Sequence, residues 1–523
     1  MILFSRPVQF AVLLILVFAA SLMFLPLRFE TNDDIIMMML ASGAYSGDPT
    51  PNLVFINYIL GLLLSRLYGI IPQVDWYPAF MLSLLSASSA LMVLTAIERV
   101  QQNHPVGMFT LATLGALTFN TIIHMQFTTA AALSVAVGAW AFWTMSSRAL
   151  RWVGAFLVLS GFLLRFEAAA LVVVVSAPFA VLGMWRQVAP LSRGLGLGVF
   201  VVVGICLHMA SERAYGILSP VYVAFNDIRG QLNDNPNSAL SLESLPEGTS
   251  FNDYNLLLDF FTDPQEIDQD DLSDLQAAVE QNEDLLESQD VLLAFLRVLS
   301  SPNVQIVILA LVLVAVGLPR PVQSGLLLAG GLTFLVPLFY ISLFAILKER
   351  VLLSAVSSVL SALYFLNLPV SSRWVGLARK MPLIGLTVFY LLTATAKLYE
   401  TRNGEEKFRE QTQIVMAWDG TVFAYSHHLQ LELARLFTAD LKPYSQKVIV
   451  AGWMTGHPEN QGYQSHRDLL RDGVALFLSP DHDPEAKISS ILLGLSENYG
   501  ITAEANIAAK AKTGLLVTFK REP

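Results

Sequence analysis

Apolar positions run through this 523-residue chain in long unbroken blocks, without the alternating or helical spacing of half-buried soluble elements. Blocks long enough to cross a membrane, or nearly so, fall at 8–27, 77–97, 107–123, 127–146, 194–211, 303–319, 325–346, 351–369 and 382–398. A longer block, 153–185, is interrupted by Arg165-Phe166-Glu167 and predicts two helices that meet at a membrane surface. The expected fold is an α-helical polytopic membrane protein of about 11 spans, the first block serving as a signal anchor.

Residues 53–71 are also apolar but carry Asn57, Gly61, Arg66 and Gly69. Loop charge decides their placement. With 53–71 not spanning and the N-terminus in the cytoplasm, the cytoplasmic loops hold ten Lys or Arg and the short outer loops five, as the positive-inside rule requires. A spanning 53–71 would invert every later loop, including the strongest cluster, Arg373 to Lys380. The segment is therefore expected at the outer face, re-entrant or lying in the interface; a tilted span is the alternative.

Two polar regions interrupt the pattern, and this topology puts both outside, with the loop after the first span. Residues 212–302 form an acidic segment, turn-rich at Asn233 to Asn237 and helical from Leu272 to Leu299. Residues 400–523 mix patterns. Strands are expected at 447–451, 473–478 and 513–520, and helices at 423–437 and 486–498, so this region should be a small α/β domain. The organisation expected is a membrane module over 1–211, the acidic segment, membrane helices over 303–398 and the soluble domain.

Composition sharpens this picture. Hydrophobic residues make up 54% of the chain and charged ones 14%, well below a soluble domain. The net charge of −10 comes from one place: residues 226–290 hold seventeen acids and a single base, Arg229, leaving the rest at +6. Such a segment argues against nucleic acid as a partner. The lone Cys206 excludes an internal disulfide and a cysteine metal site.

The stretch with the most chemistry is Arg28 to Pro51. Thr31 or Asn32 can cap a short helix through Ile35 to Gly43; Asp33 and Asp34 fall in its first turn, and Gly47, Pro49 and Pro51 end it. An acidic pair is thus expected on a rigid element at a membrane surface.

This layout resembles the GT-C superfamily of membrane glycosyltransferases, which includes protein O-mannosyltransferases and the aminoarabinose transferase of lipid A. The likeness lies in Asn32-Asp33-Asp34, the helix to Tyr45 and Gly47-Asp48-Pro49-Thr50-Pro51, and by motif covers about 1–210. Here the Pro turn lacks a His-Pro-Pro form. The resemblance implies a bacterial-type inner-membrane enzyme with a polyprenyl-phosphate sugar as donor. The acceptor would be an extracytoplasmic hydroxyl on a glycan, lipid or protein, and one aspartate the general base.

On that view Asp34 is the favoured base and Asp33 its helper, free to pair with Arg28 or hold a divalent cation. Arg165, Lys348 and Arg350 would bind the lipid phosphate, with Glu167 orienting Arg165. Arg66, Asn57 and His124 are assigned to the same cavity. Each also has a structural reading: helix-terminal acids, an ion pair closing a hairpin, snorkelling cations, a hydrogen-bonded core histidine. No metal-ligand spacing is present at His427, His428 or His457, and no cofactor motif. Asp263 to Asp274 lacks the Gly and terminal Glu of an EF-hand loop. A non-catalytic assembly or transport component of the same architecture and an oligosaccharide polymerase stand as alternatives.

Overall fold

The structure, a computed structural model, describes residues 5–522 except 101–104, 186–189, 235–244, 247–248, 259–268, 284–287, 306, 309–310, 312–320, 345, 367–372, 426–427, 438–446 and 461–464. The chain opens with α1 (Arg6–Phe24), β1 (Arg28–Phe29), α2 (Asn32–Ser42), α3 (Tyr58–Ile70), α4 (Trp76–Val100) and α5 (Pro105–Ile123). Then come β2 (His124–Met125), α6 (Phe127–Thr144), α7 (Arg148–Leu164), α8 (Phe166–Trp185) and α9 (Leu191–Leu218). The acidic segment supplies α10 (Pro220–Asp234), α11 (Phe251–Leu258), α12 (Gln269–Glu283) and α13 (Ser288–Ser300). Helices α14 (Pro321–Phe344), α15 (Glu349–Leu366) and α16 (Arg373–Ala417) follow. The C-terminal region contains β3 (Thr421–Tyr425), β4 (Val448–Ala451), β5 (Val474–Leu478), α17 (Pro484–Tyr499), β6 (Ala503–Ala511) and β7 (Gly514–Arg521).

Among the described residues, 6 helices are long and apolar enough to cross a membrane: α1, α4, α6, α8, α9 and α15. Of the further expected spans, 107–123 and 325–346 fall on the shorter apolar pieces Leu111–Ile123 and Leu327–Leu343, 382–398 lies within α16, and 303–319 lies largely outside the described residues. Helix α3 has 13 residues. At 1.5 Å per residue it is about 20 Å long, short of a ~30 Å hydrocarbon core. Helices α6 and α7 touch through their backbones: a Cβ on Gly138 would meet the Gly154 carbonyl oxygen at 2.6 Å. Small residues at this crossing let two apolar helices pack where water provides no drive between them.

Two features build the end of the bundle that carries the acidic pair. First, β1 and β2 pair in parallel, Arg28 with His124 and Phe29 with Met125, and Glu30 N–H extends the ladder to the Met125 carbonyl at 2.9 Å. The loops after α1 and α5 are thereby locked together. Second, α2 has no polar face after Asp34, and Ile35 through Ala41 are all buried. A helix apolar all round belongs inside. The helix expected at a surface is a core element instead. It stops at Gly43, left-handed at φ 72°, where a Cβ would lie 2.6 Å from Pro49 N.

The C-terminal sheet has the order β4-β3-β5-β7-β6, parallel across β4, β3 and β5 and antiparallel at the β7–β6 hairpin. The helix expected over 423–437 is not formed. Thr421-Val422-Phe423-Ala424-Tyr425, rich in β-branched and aromatic residues, is the strand between β4 and β5, followed by a short 3-10 turn at Leu431–Leu433. Helix α16 spans 45 residues and links the two halves. Its earlier part bonds α5, Thr387 to Thr113 at 2.9 Å, and its end bonds the sheet, Gln411 Nε2 to the Thr513 carbonyl at 3.3 Å. The domain sits on the loops around α2: Leu436 N–H reaches the Leu27 carbonyl, Tyr45 Oη donates to Asn460 Oδ1 at 2.8 Å, and Glu432 N–H donates to Asn32 Oδ1 at 3.0 Å.

Candidate active site

Adjacent residues on a helix point about 100° apart, and on α2 that separates the two acids completely. Asp34 turns inward and is fully buried. Its Oδ1 accepts from Tyr77 Oη at 3.0 Å and from Phe127 N–H at 3.2 Å, while Thr31 Oγ1 donates to Oδ2 at 3.1 Å. Burial pushes its pKa well above the carboxylate range, outweighing these hydrogen bonds. The expectation of an acidic pair at a membrane surface with Asp34 as the base is therefore corrected for Asp34: its surroundings are Tyr77, Phe127 and Thr31. The Thr31 side chain bonds this carboxylate and makes no cap bond.

Asp33 turns outward. Its carboxylate lies 3.7 Å from the Arg350 guanidinium, with 26% of its side chain exposed. It lines a cavity of about 650 Å³. Three of the residues assigned to phosphate line the same cavity: Arg165, Lys348 and Arg350, with Glu167 beside them. Arg165 Nε pairs with Glu167 at 2.9 Å, its Nη1 donates to the Phe55 carbonyl at 3.1 Å, and its guanidinium lies over the Phe127 ring at 5.4 Å. Lys348 Nζ pairs with Asp234 Oδ1 at 2.7 Å. Leu171, Ile341, Ile346 and Val351 give the cavity an apolar wall. A second cavity of about 630 Å³ shares Phe55, Arg165 and Glu167 and continues past Asn52, Asp227 and Gln276.

Several expected members lie elsewhere. His124 is buried in β2 opposite Arg28 of β1, whose Nε donates to its Nε2 at 2.6 Å, and burial together with the Arg28 and Lys397 charges pushes its pKa down. Arg28 itself pairs with Glu400 at 3.1 Å, not with either acid of the pair. Asn57 caps α3, accepting from Ile59 N–H at 3.0 Å and donating to the Leu207 carbonyl at 2.9 Å. Arg66 is exposed on α3 and lines neither cavity. A divalent cation held jointly by Asp33 and Asp34 does not fit, because both Asp34 oxygens are engaged inside the core. Among the described residues no cluster of three His, Cys, Asp or Glu side chains could hold a metal. His427 and part of Asp263 to Asp274 lie outside the described residues.

Arg229 and Trp453 are among the lining residues to which the sequence assigns no role. Arg229 of α10 is buried at the cavity wall, donating to Asn226 Oδ1 at 2.7 Å and Asn233 Oδ1 at 3.1 Å. Its signal was present: it is the single base among seventeen acids. Trp453, just beyond the carboxyl end of β4, is the cavity's contribution from the C-terminal domain, and no sequence signal marked it.

No family model matches the chain, and no curated protein matches it. Among solved structures it is similar to the crystal structure of ArnT from Cupriavidus metallidurans in the apo state, at 13% identity and a TM-score of 0.37, over 98% of this chain and 97% of that one. The same enzyme bound to undecaprenyl phosphate gives 13% identity and a TM-score of 0.39 over the same shares.

Proposed function

We propose that this protein is an integral membrane glycosyltransferase that moves a sugar from a polyprenyl-phosphate donor to an acceptor hydroxyl outside the cytoplasm, with Asp33 as general base. One observation carries the proposal: a single cavity combines an apolar wall, the cations Arg165, Arg229, Lys348 and Arg350, and the carboxylates Glu167, Asp234 and Asp33, the last ion-paired to Arg350. A lipid chain suits the first, a phosphate the second and a hydroxyl proton the third.

The chemistry follows from these groups. The donor phosphate enters among the cations and takes over the Arg350 contact. Asp33, released from that pair, accepts the proton of the acceptor hydroxyl. The hydroxyl oxygen forms a bond to the anomeric carbon, the bond from that carbon to the phosphate oxygen breaks, and polyprenyl phosphate leaves. The negative charge that develops on its oxygen is stabilised by the same cations. The second cavity, opening from Arg165 and Glu167, admits the acceptor. In this reading the chain lies in a bacterial-type inner membrane, its N-terminus cytoplasmic. The cavity, the acidic segment 212–302 and the domain over 400–523 face outward. The shortness of α3 supports this orientation, since a non-spanning 53–71 is what the loop charges require.

The test is binding of polyprenyl phosphate to the protein in lipid nanodiscs, with Arg165→Glu, Lys348→Glu and Arg350→Glu. Reversing a true phosphate ligand should weaken binding by at least about 2 kcal/mol, roughly thirtyfold. Unchanged affinity in all three variants removes the donor site, and the transferase reading with it.

A further inference from the structure

Helix α13, the last helix of the acidic segment, turns its large side chains away from the protein. Ala294 and Val298 are buried, while Leu292, Leu293, Phe295 and Leu296 stand out at 42% to 55% exposure. In water the leucines and the phenylalanine would turn inward and the alanine outward. Helix α12 of the same segment does follow that rule: it buries Leu272, Leu275 and Val279 and exposes Ser273, Asp274 and Glu280. Four large apolar side chains side by side on one short helix mark a surface with a partner. That partner is apolar, because the single charge from Leu292 to Leu299 is Arg297, in the last turn.

The position of α13 identifies the partner. It packs on the carboxyl-terminal end of α14: Ser342 Oγ donates to the Ala294 carbonyl at 3.3 Å, and the Phe295 and Phe339 rings meet edge-on with centroids 5.9 Å apart. Beside this contact α14 exposes Val336 at 61% and Tyr340 at 65%, four residues apart and so on one face. That face belongs to the apolar piece Leu327–Leu343, and the α13 patch extends it. On its other side α13 leads into the apolar block 303–319, whose first residue, Asn303, accepts from Tyr390 Oη of α16 at 3.0 Å. It is thus fixed at the level where one apolar segment ends and the next begins. With 13 residues it is about 20 Å long, too short to cross a ~30 Å hydrocarbon core.

We propose that α13 lies in the outer membrane interface as an amphipathic anchor, with Leu292, Leu293, Phe295 and Leu296 among the acyl chains and Arg297 at the level of the lipid phosphates. The occupant of the patch is the bilayer. The apolar side chains leave water, and the long arginine side chain carries its charge back to the headgroups. The anchor holds the acidic segment down beside the Asp33 cavity: Ser342, which α13 contacts, follows Ile341 in that cavity's apolar wall. The proposal does not depend on the transferase reading.

The chain's one cysteine, Cys206, makes the test direct. In a Cys206→Ser background, Leu292→Cys, Leu296→Cys and, as the control in α12, Ala277→Cys each carry a nitroxide, with the protein held in nanodiscs of phosphatidylethanolamine and phosphatidylglycerol. At positions 292 and 296 collisions with dissolved oxygen should exceed those with a water-soluble nickel chelate, at a depth of about 5–10 Å below the phosphates, and the order should reverse at 277. Wild type gives an independent reading: a phospholipid with a diazirine in its acyl chain should label α13 and leave α12 unlabelled. Nitroxides at 292 and 296 as open to nickel as the one at 277, with α13 unlabelled in wild type, overturn the proposal and put α13 in water. Nitroxides at 292 and 296 shielded from both reagents, again without lipid labelling, overturn it too, since a second copy of the chain or another of its segments then covers the patch.

Discussion

Asp33 and Asp34 are neighbours in sequence and belong to different regions of the molecule. Around Asp33 the protein is open, charged and bordered by an apolar wall; around Asp34 it is closed, with Tyr77, Phe127 and Thr31 taking up the carboxylate. The same contrast separates the cations. Arg165, Lys348 and Arg350 line the cavity, whereas Arg28 is buried beside His124 and pairs with the exposed Glu400, tying β1 to α16. One helical step decides whether an acid can do chemistry or holds the floor under it. An acidic pair in a loop is therefore two sites, and each needs its own test.

The largest effect should come from the open side. Asp33→Asn keeps the size of the side chain and removes its proton acceptor. Sugar transfer in membranes, at matched expression, should fall by on the order of a hundredfold or more, the usual scale for a lost general base. Donor binding should persist, because the cations are untouched. Full transfer by Asp33→Asn would end the catalytic reading and favour a non-catalytic assembly role for the same cavity.

The closed side should respond in stability. Asp34→Ala leaves the Tyr77, Phe127 and Thr31 donors facing a cavity, a cost on the order of 3 kcal/mol read as a lower apparent Tm. Asp34→Asn should behave differently. With its folded pKa raised, the native carboxyl holds its proton after the unfolded chain has released it. Wild-type stability therefore declines as pH rises from about 4 towards the raised native value. Asparagine carries no proton to lose, so the variant's Tm relative to wild type should climb across that window. A constant difference between pH 5 and pH 8 would show that Asp34 is ionised in the native state.

Much of this was legible in the chain. The break at Arg165-Phe166-Glu167 does join two helices, α7 and α8, and the turn after Gly43 ends α2. Three of the four residues nearest the proposed phosphate site were readable because a cation beside an apolar block stands out. What failed has physical causes. The run Ile35 to Ala41 contains no polar position, which signals a buried helix, yet its place after an apolar block suggested a surface. Thr421 to Tyr425 carries β-branched and aromatic residues, but the leucines that follow, at 429, 431, 433 and 436, mimic a helical stripe. Trp453 could not be placed from sequence, because its place in the same cavity as Asp33 exists only once the C-terminal domain docks on the loops around α2.

The smallest effects test whether the cavity is as local as the geometry makes it. Asn57 and Arg66 sit at one helix, α3, and the sequence groups both with the phosphate ligands. Asn57 bonds Ile59 N–H and the Leu207 carbonyl, so Asn57→Ala removes a cap and an interhelical bond. Each contributes about 1 kcal/mol, and the loss should appear as a lower Tm with little change in donor affinity. Arg66 is exposed, and Arg66→Ala should stay within about 0.5 kcal/mol of wild type in stability and leave polyprenyl-phosphate binding unchanged. If Arg66→Ala instead weakens that binding tenfold, α3 must move against the bundle to bring its charge to the phosphate. The cavity around Asp33 would then be one face of a larger site that closes on its lipid.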